Sequence, residues 1–437
     1  MAAAPTSVSI RMYNVGFGDC FLLTFNYPRT ARHMLVDYGS TSAPKHVPKT
    51  GRNSNYMERV AKDIEAVCEG KLDVVVATHR HRDHISGFST AAGTGKIIAS
   101  LKPSYVIQPW TEDPRAKVNA MSATASVYTS GKADPKQMTA HFLGSLQDMH
   151  SVAESITRLA ARQDLAGSQT LKQLHFLGED NIKNASAVRN LMEMGRRGKA
   201  YYVSAGMKLN VLPGVKCTVL GPPTIQQSNA IRRQRSRDPD NFWQFRAFWG
   251  AQNFAMRKPL PAAGVKPRKS RVRALPPSVR WFVEQSRQIH AAQLLGLVRD
   301  LDSVMNNTSV ILLLEVGKHK ILLPGDAQIE NWAYALSRPE WTQLLRDVNV
   351  YKVGHHGSLN ATPKPLWSLF RNKGAPGKQG RLGTLCSTKA GKHGSISSGT
   401  EVPRKTLVEE LKKASTFVSS EGGKERFCSE VQLVFAQ

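Results

Sequence analysis

The sequence predicts an α/β protein, and three observations support this fold class. Short apolar segments of strand length recur along the 437 residues. Segments with helical spacing of apolar residues lie between several of them. One apolar run, residues 72–77, leads directly into a cluster of histidines and aspartate, as is typical of a functional site at the end of a buried strand. The chain is long enough for one large domain with insertions, or for two domains.

The first strands are predicted in the first 40 residues. Residues 7–25 alternate in polarity and then become apolar, interrupted by the turn Gly16-Phe17-Gly18-Asp19, which indicates strand, turn, strand. Residues 33–38 (HMLVDY) form a further short buried strand. Residues 56–69 place their apolar side chains on one helical face, and residues 72–77 form the next strand.

The remaining elements follow at wider spacing. Residues 112–200 are rich in Ala, Ser and Gln and are predicted to be a mostly helical insertion. Beyond it, the pattern predicts a helix over residues 403–415, which opens at Pro403. The predicted later strands are 208–220, 310–314, 320–323, 348–353 and 430–435.

A second insertion is predicted over residues 228–300 because the composition changes there. Residues 232–280 contain 13 Lys and Arg against two acidic residues, interleaved with aromatic side chains. This combination suits contact with a nucleic-acid backbone and stacking on bases. A solvated charged loop is the alternative, since charge runs usually are solvated. The apolar segment FWQFRAFW (residues 242–249) argues against complete disorder.

The overall charge is strongly positive, with 60 Lys and Arg against 33 Asp and Glu and a formal net charge of +27. Such a field attracts phosphates, nucleic acid or an anionic membrane surface. The sequence shows no signal peptide and no apolar segment near the roughly 20 residues of a membrane span. Its five cysteines are scattered, without a CxxC pair. These features predict a cytoplasmic protein without a membrane partner, and they leave the oligomeric state open.

The strongest chemical signal is VVVATHRHRDHISGF (residues 74–88). Side chains two apart on a strand share a face, so His79 and His81 can point to one site. Asp83 and His84 follow where the chain turns and can approach the same point. Imidazole and carboxylate together suit borderline metals such as zinc. The sequence therefore predicts a metal site at the end of this strand.

This HxHxDH motif after an apolar strand resembles the signature of the metallo-β-lactamase fold. Three further segments, VGFGDCFLL (15–23), NNTSVILLLEVGKHKILLPGDA (306–327) and VGHHGS (353–358), resemble the hydrolase domain of the competence DNA-uptake protein and its stand-alone relatives. The resemblance implies one domain over residues 1–437, built as an αββα sandwich with metals at one edge. The helical and basic segments would be insertions into it.

The resemblance also implies a ligand set for two metal ions, zinc in the first instance and manganese as the alternative. The first ion would be held by His79, His81 and Asp326. The second would be held by Asp83, His84, His355 and Asp326. Asp37 matches the family's early aspartate, which orients ligands.

Several nearby residues are weaker candidates. Lys352, Ser358 and Asn360 lie near His355, where relatives place groups that contact substrate or support ligands. Relatives often have a Gly-His-Pro segment near the C-terminus, where this chain instead has His393. Asp19 either borders the cleft or belongs only to its glycine turn. His356 is expected to point away from the site, because side chains alternate in an extended segment.

These features predict a metal-dependent hydrolase in which the metal activates a water molecule. Asp83 would be both ligand and proton acceptor, with His84 as the second catalytic residue. The preferred activity is that of a phosphodiesterase or nuclease. Hydrolysis of a small ester, lactone or thioester is an alternative, since the fold hosts all of these. Another is a nucleic-acid-binding protein whose metal site is structural or vestigial.

Overall fold

A computed structural model of the protein describes residues 4–47, 55–113, 128–129, 184–224, 227–228, 305–358, 362–393, 401–421 and 427–435. Most of the predicted helical insertion (112–200) and of the basic insertion (228–300) therefore lies outside the described residues. The segment 232–280, for which nucleic-acid contact is predicted, lies wholly outside them.

The first of two mixed sheets has the strand order β15-β1-β2-β3-β4-β5-β7-β6. Pairing is antiparallel from β15 to β3, parallel from β3 to β7, and antiparallel between β7 and β6. The strands are β1 (Ser7–Tyr13), β2 (Cys20–Asn26), β3 (Ala31–Tyr38), β4 (Val74–Val76), β5 (Tyr105–Pro109), β6 (Tyr128–Thr129), β7 (Lys199–Val203) and β15 (Cys428–Val434).

The second sheet has the order β14-β13-β12-β11-β10-β9-β8. It is antiparallel from β8 to β11 and parallel from β11 to β14. Its strands are β8 (Lys208–Leu209), β9 (Val215–Gly221), β10 (Ile311–Val316), β11 (His319–Leu323), β12 (Val350–Lys352), β13 (Gly383–Cys386) and β14 (Thr416–Ser419). The predicted strand segment 208–220 contains two strands, β8 and β9. The predicted strands at 310–314, 320–323, 348–353 and 430–435 correspond to β10, β11, β12 and β15 with shifted ends.

The helices of the described residues fall in two groups by position in the chain. The first group is α1 (Tyr56–Val67), α2 (Arg82–Ile85), α3 (Thr94–Ser100) and α4 (Ala185–Arg197). The second group is α5 (Ile329–Leu336), α6 (Pro339–Leu345), α7 (Lys364–Leu369) and α8 (Lys405–Ala414). Within the described part of the chain, no helix has the length and apolar character needed to cross a membrane.

Three apolar clusters hold these elements together. The largest contains inward side chains of both sheets, such as Ile10 and Phe21 from the first and Leu312 from the second. A second cluster joins the first sheet to α1, α3 and α4. The third joins the second sheet to α5–α8. The protein is therefore α/β with two mixed sheets and helices, and this layering is compatible with the predicted αββα sandwich.

Candidate metal centre

The candidate site forms where strands of both sheets end. Asp37 is the penultimate residue of β3, and His79 follows β4 after two residues. From the second sheet, Asp326 follows β11, and the segment 353–358 follows β12. Parallel neighbours in a sheet end at the same edge, so the topology brings residues distant in sequence to one place. All of Val74–Val76 is buried, which anchors the histidine-bearing turn in the core.

The glycine turn before β2 packs directly against this histidine-bearing turn. Gly18 has φ +151°, and a Cβ there would lie 2.7 Å from the carbonyl oxygen of Asp83. A Cβ on Gly39 would lie 2.4 Å from the backbone nitrogen of His84. The amide of Asp19 donates to the carbonyl of Asp83 at 2.8 Å. The glycines therefore permit a close backbone approach, and the turn borders the site.

Four buried residues converge on one point: Asp83, His84, Asp326 and His356. One ligand atom from each lies within 4.8 Å of the others. The Nε2 atom of His84 is 2.9 Å from Oδ2 of Asp326. The Nε2 atom of His356 is 3.2 Å from Oδ2 of Asp83 and 3.4 Å from Oδ2 of Asp326. This cluster could hold a metal ion.

Both imidazoles of the cluster are oriented by a hydrogen-bond partner at Nδ1, the ring nitrogen that does not face the other ligands. The Nδ1 atom of His84 lies 2.8 Å from Oδ2 of Asp37. Asp37 is itself fixed, because it accepts the backbone N–H of Thr78 at 2.8 Å and its hydroxyl at 2.7 Å. The Nδ1 atom of His356 lies 3.0 Å from the carbonyl oxygen of Ser387. A partner at Nδ1 leaves the Nε2 lone pair free for a metal, the usual arrangement around ligating histidines.

The spacing of the inner atoms fits a shared cation. Ligands about 2.0–2.1 Å from a tetrahedral zinc are about 3.3 Å from one another. The observed separations of 2.9, 3.2 and 3.4 Å are close to this value. In addition, Oδ1 of Asp83 is buried without a hydrogen-bond partner. Buried polar atoms are rarely left in this state, and a bound cation or a water in the site would satisfy this one.

The placement of the two adjacent histidines differs from the expectation. His356, expected to point away, lies in the buried cluster, whereas His355 is outside the four-residue group. The side chain of His355 is 26% exposed, and its Nε2 is 3.9 Å from Oδ2 of Asp326. The reason is local: His355 and His356 have φ of 42° and 52°, so the segment is not extended and alternation does not apply. A left-handed conformation costs a non-glycine residue roughly 1–2 kcal/mol.

His79 and His81 form a second pair beside the cluster. Both are buried, and Nε2 of His79 is 3.0 Å from Nδ1 of His81. The ring centroids of His79 and His84 are 4.2 Å apart. Burial lowers the pKa of His79 well below its ordinary value, and the neighbouring His84 and His81 lower it further. His79 is therefore neutral at pH 7, which is the form that binds metals.

The carboxylates of the site are balanced by one buried lysine and by the histidines. Burial alone would raise the pKa of Asp19, but Lys352 and His356 hold it below its ordinary value. Similarly, His356 and His84 keep the pKa of Asp83 low against the effect of burial. Burial raises the pKa of Asp37, although His84 opposes the change. The cluster thus offers ionised oxygen ligands at neutral pH.

Arg80, between the first two histidines of the motif, pairs with a residue that the sequence did not indicate. Its guanidinium forms a buried ion pair with Glu112, with Nε at 2.9 and 3.1 Å from the two carboxylate oxygens. Glu112 lies 32 positions later, after β5, and no local pattern links the two residues. Thr78 and Ser387 were missed for the same reason, since only the fold brings them behind the ligands.

Two other weaker candidates, Ser358 and His393, lie beside the histidines and Phe17 of the site. The hydroxyl of Ser358 is 3.0 Å from Nδ1 of His355. The ring of His393 is 4.4 Å from that of Phe17, which in turn is 4.4 Å from the ring of His356. Burial lowers the pKa of His393 to about 4, so this imidazole is neutral at pH 7. Asn360 lies outside the described residues.

Comparison of the chain with protein-family models finds no matching family. Comparison with curated proteins also finds no match.

Proposed function

We propose that the protein is a metal-dependent hydrolase of the metallo-β-lactamase type, acting on phosphodiesters. The observation that carries the proposal is the convergence of Asp83, His84, Asp326 and His356, with each imidazole supported at Nδ1. The separations of 2.9, 3.2 and 3.4 Å between their facing nitrogen and oxygen atoms are close to those of ligands to one ion. The His79–His81 pair lies beside this cluster, with the ring centroid of His79 4.2 Å from that of His84. This pair would serve a second ion.

The roles of the residues follow from their contacts. Asp37 and Ser387 fix the rings of His84 and His356, and Asp326 presents Oδ2 to both. Zinc, or manganese, would supply Lewis acidity and lower the pKa of a bound water toward neutrality. Oδ1 of Asp83 has no hydrogen-bond partner, so it can accept a hydrogen bond or a proton from a water in the site.

The site also reaches solvent, as a catalytic centre must. The side chain of Asp83 is 12% exposed and that of His355 is 26% exposed, while His84 and His356 are fully buried. The exposed edge at His355 is therefore the side from which a substrate would enter.

The substrate class rests on charge and on the sequence resemblance. A formal net charge of +27 attracts phosphorylated substrates. Nucleic-acid contact through residues 232–280 stays a prediction, because that segment lies outside the described residues. Small esters, lactones and thioesters, and a nucleic-acid-binding protein with a structural metal, are the competing assignments.

The proposal is tested by metal analysis of the purified protein, followed by assays with zinc and with manganese. We expect at least one tightly bound ion per chain and hydrolysis of bis-p-nitrophenyl phosphate that is lost on chelation. Plasmid DNA tests the nuclease assignment, and a lactone panel tests the small-molecule one. Metal-loaded protein that hydrolyses only lactones would contradict the phosphodiester assignment. Protein that binds metal but hydrolyses none of these substrates would indicate a structural site.

Metal binding should release protons, because the cluster histidines are protonated without a cation. Burial lowers the pKa of His356, but Asp326 and Asp19 outweigh it and raise the value to about 10. Asp326 and Asp37 likewise raise the pKa of His84 well above its ordinary value. Both imidazoles then carry a proton at pH 7 and must lose it to bind metal, so affinity rises with pH.

We expect about two protons to be released per zinc bound in the cluster at pH 7. Isothermal titration calorimetry in buffers of different ionisation enthalpy measures this number directly. A binding enthalpy that is the same in every buffer would contradict the assignment of His84 and His356 as ligands.

A further inference from the structure

Lys352 is buried inside the metal centre rather than exposed to a substrate. It ends β12, and its side chain is 3% exposed. Its ammonium donates to the carbonyl oxygen of Gly325 at 2.8 Å and to Oδ1 of Asp326 at 3.3 Å. It also forms an ion pair with the carboxylate of Asp19. Two hydrogen bonds and one ion pair therefore hold the ammonium in place.

The acceptors belong to different sheets. Asp19 immediately precedes β2 of the first sheet, whereas Gly325 and Asp326 follow β11 of the second. Asp19 is also attached to the ligand-bearing turn, because its amide donates to the carbonyl of Asp83 at 2.8 Å. The ammonium of Lys352 therefore connects the half of the site that carries Asp83 and His84 to the half that carries Asp326.

The same contacts divide the two oxygens of Asp326 between different tasks. Oδ1 lies 3.3 Å from the lysine ammonium. Oδ2 lies 2.9 Å from Nε2 of His84 and 3.4 Å from Nε2 of His356. With Oδ1 held by the lysine, the carboxylate cannot rotate freely, and Oδ2 is the oxygen that faces both imidazoles.

We propose that Lys352 is a positioning residue of the metal centre, a cation of the protein itself that joins the two sheets and makes Asp326 a ligand through Oδ2. This inference rests on the metal centre of the proposed function. Because the ammonium is present before any metal binds, it brings Asp19 and Asp326 together in the metal-free protein. The site is thereby preorganised, and metal binding need not first overcome repulsion between these two carboxylates.

The test compares zinc affinity and stability in matched variants. We expect Lys352→Met to weaken zinc binding by roughly 10–100-fold, the usual effect of losing a group that supports a ligand. Zinc affinity is measured by competition with a chromogenic chelator. Lys320→Met is the control, because Lys320 is a partly buried lysine of the same sheet whose ammonium pairs with Asp347 at 3.5 Å, away from the ligands. It should keep the affinity of the parent.

The double variant Asp19→Asn/Lys352→Met separates positioning from simple stability. Removing the lysine alone takes away the nearest cation of the buried Asp19 carboxylate, which lowers the melting temperature of the metal-free protein. Neutralising Asp19 as well should recover much of the melting temperature but not the zinc affinity, since Oδ1 of Asp326 stays unheld. The double variant also provides folded protein for the affinity measurement if Lys352→Met does not fold.

Two results would overturn the inference while the parent protein still binds zinc. One is parental affinity in the double variant. The other is recovery of affinity in step with recovery of the melting temperature, which would reduce Lys352 to a structural ion pair. A parent protein that binds no metal would instead contradict the proposed function, so the two failures can be told apart.

Discussion

Replacing His356 with alanine should remove tight metal binding, whereas replacing His355 should not. His356 is fully buried, and its Nε2 faces both Asp83 and Asp326 at 3.2 and 3.4 Å. Loss of this nitrogen deletes one of four converging ligands. The affinity should therefore fall by more than the roughly 10–100-fold that loss of a supporting group costs. Metal content after dialysis and zinc affinity measure the effect.

The neighbouring residue provides an internal comparison. His355 is part-exposed and 3.9 Å from Asp326, so His355→Ala should retain the metal of the Asp83 cluster. Because its ring lies at the open edge, the same variant should lower hydrolysis. His319→Ala is the control for general effects of losing a histidine, since His319 stacks on Phe435 at the start of β11. If His355→Ala loses the metal and His356→Ala keeps it, the ligand assignment from sequence resemblance is restored.

The second large effect is expected from Asp83→Asn, which should suppress hydrolysis while the fold and much of the metal remain. The amide oxygen can still approach a cation, but the amide cannot accept a proton. General-base groups typically contribute about 10²–10⁴-fold to a rate, and we expect a loss of kcat in that range. Steady-state hydrolysis of bis-p-nitrophenyl phosphate, normalised to bound metal, measures it.

A surface aspartate serves as control for this substitution. Asp347→Asn changes a carboxylate whose side chain is 48% exposed and whose partners are Lys320 and Arg371. It should leave kcat unchanged. Metal-loaded Asp83→Asn with the kcat of the parent would show that the proton is accepted elsewhere. An Asp83→Asn protein without metal would show that this carboxylate acts mainly as a ligand.

Much of the fold was predictable because its strands have a simple pattern of burial. Val74–Val76 and Ile311–Val316 are almost wholly apolar and buried, so a short run of residues suffices to identify them. The ends of elements were less accurate: the helix predicted over 403–415 spans Lys405–Ala414. Strand order, by contrast, depends on pairing between distant residues, such as Ser7 with Val434, and no local signal reports it.

The residues of the candidate metal centre also fall into two groups, those that the sequence indicated and those that only the tertiary structure brought together. The sequence by itself predicted a metal site, because His79, His81, Asp83 and His84 are adjacent to one buried strand and their spacing is typical of metal ligands. It did not determine which of His355 and His356 faces inward, since that choice depends on two left-handed backbone conformations after β12. Asp37 and Lys352 were candidates for supporting groups only through the resemblance, and nothing in the sequence indicated Ser387. These three residues contact His84, Asp326 and His356 across 47, 26 and 31 positions of sequence, and only tertiary packing brings their atoms within 3.3 Å of one another.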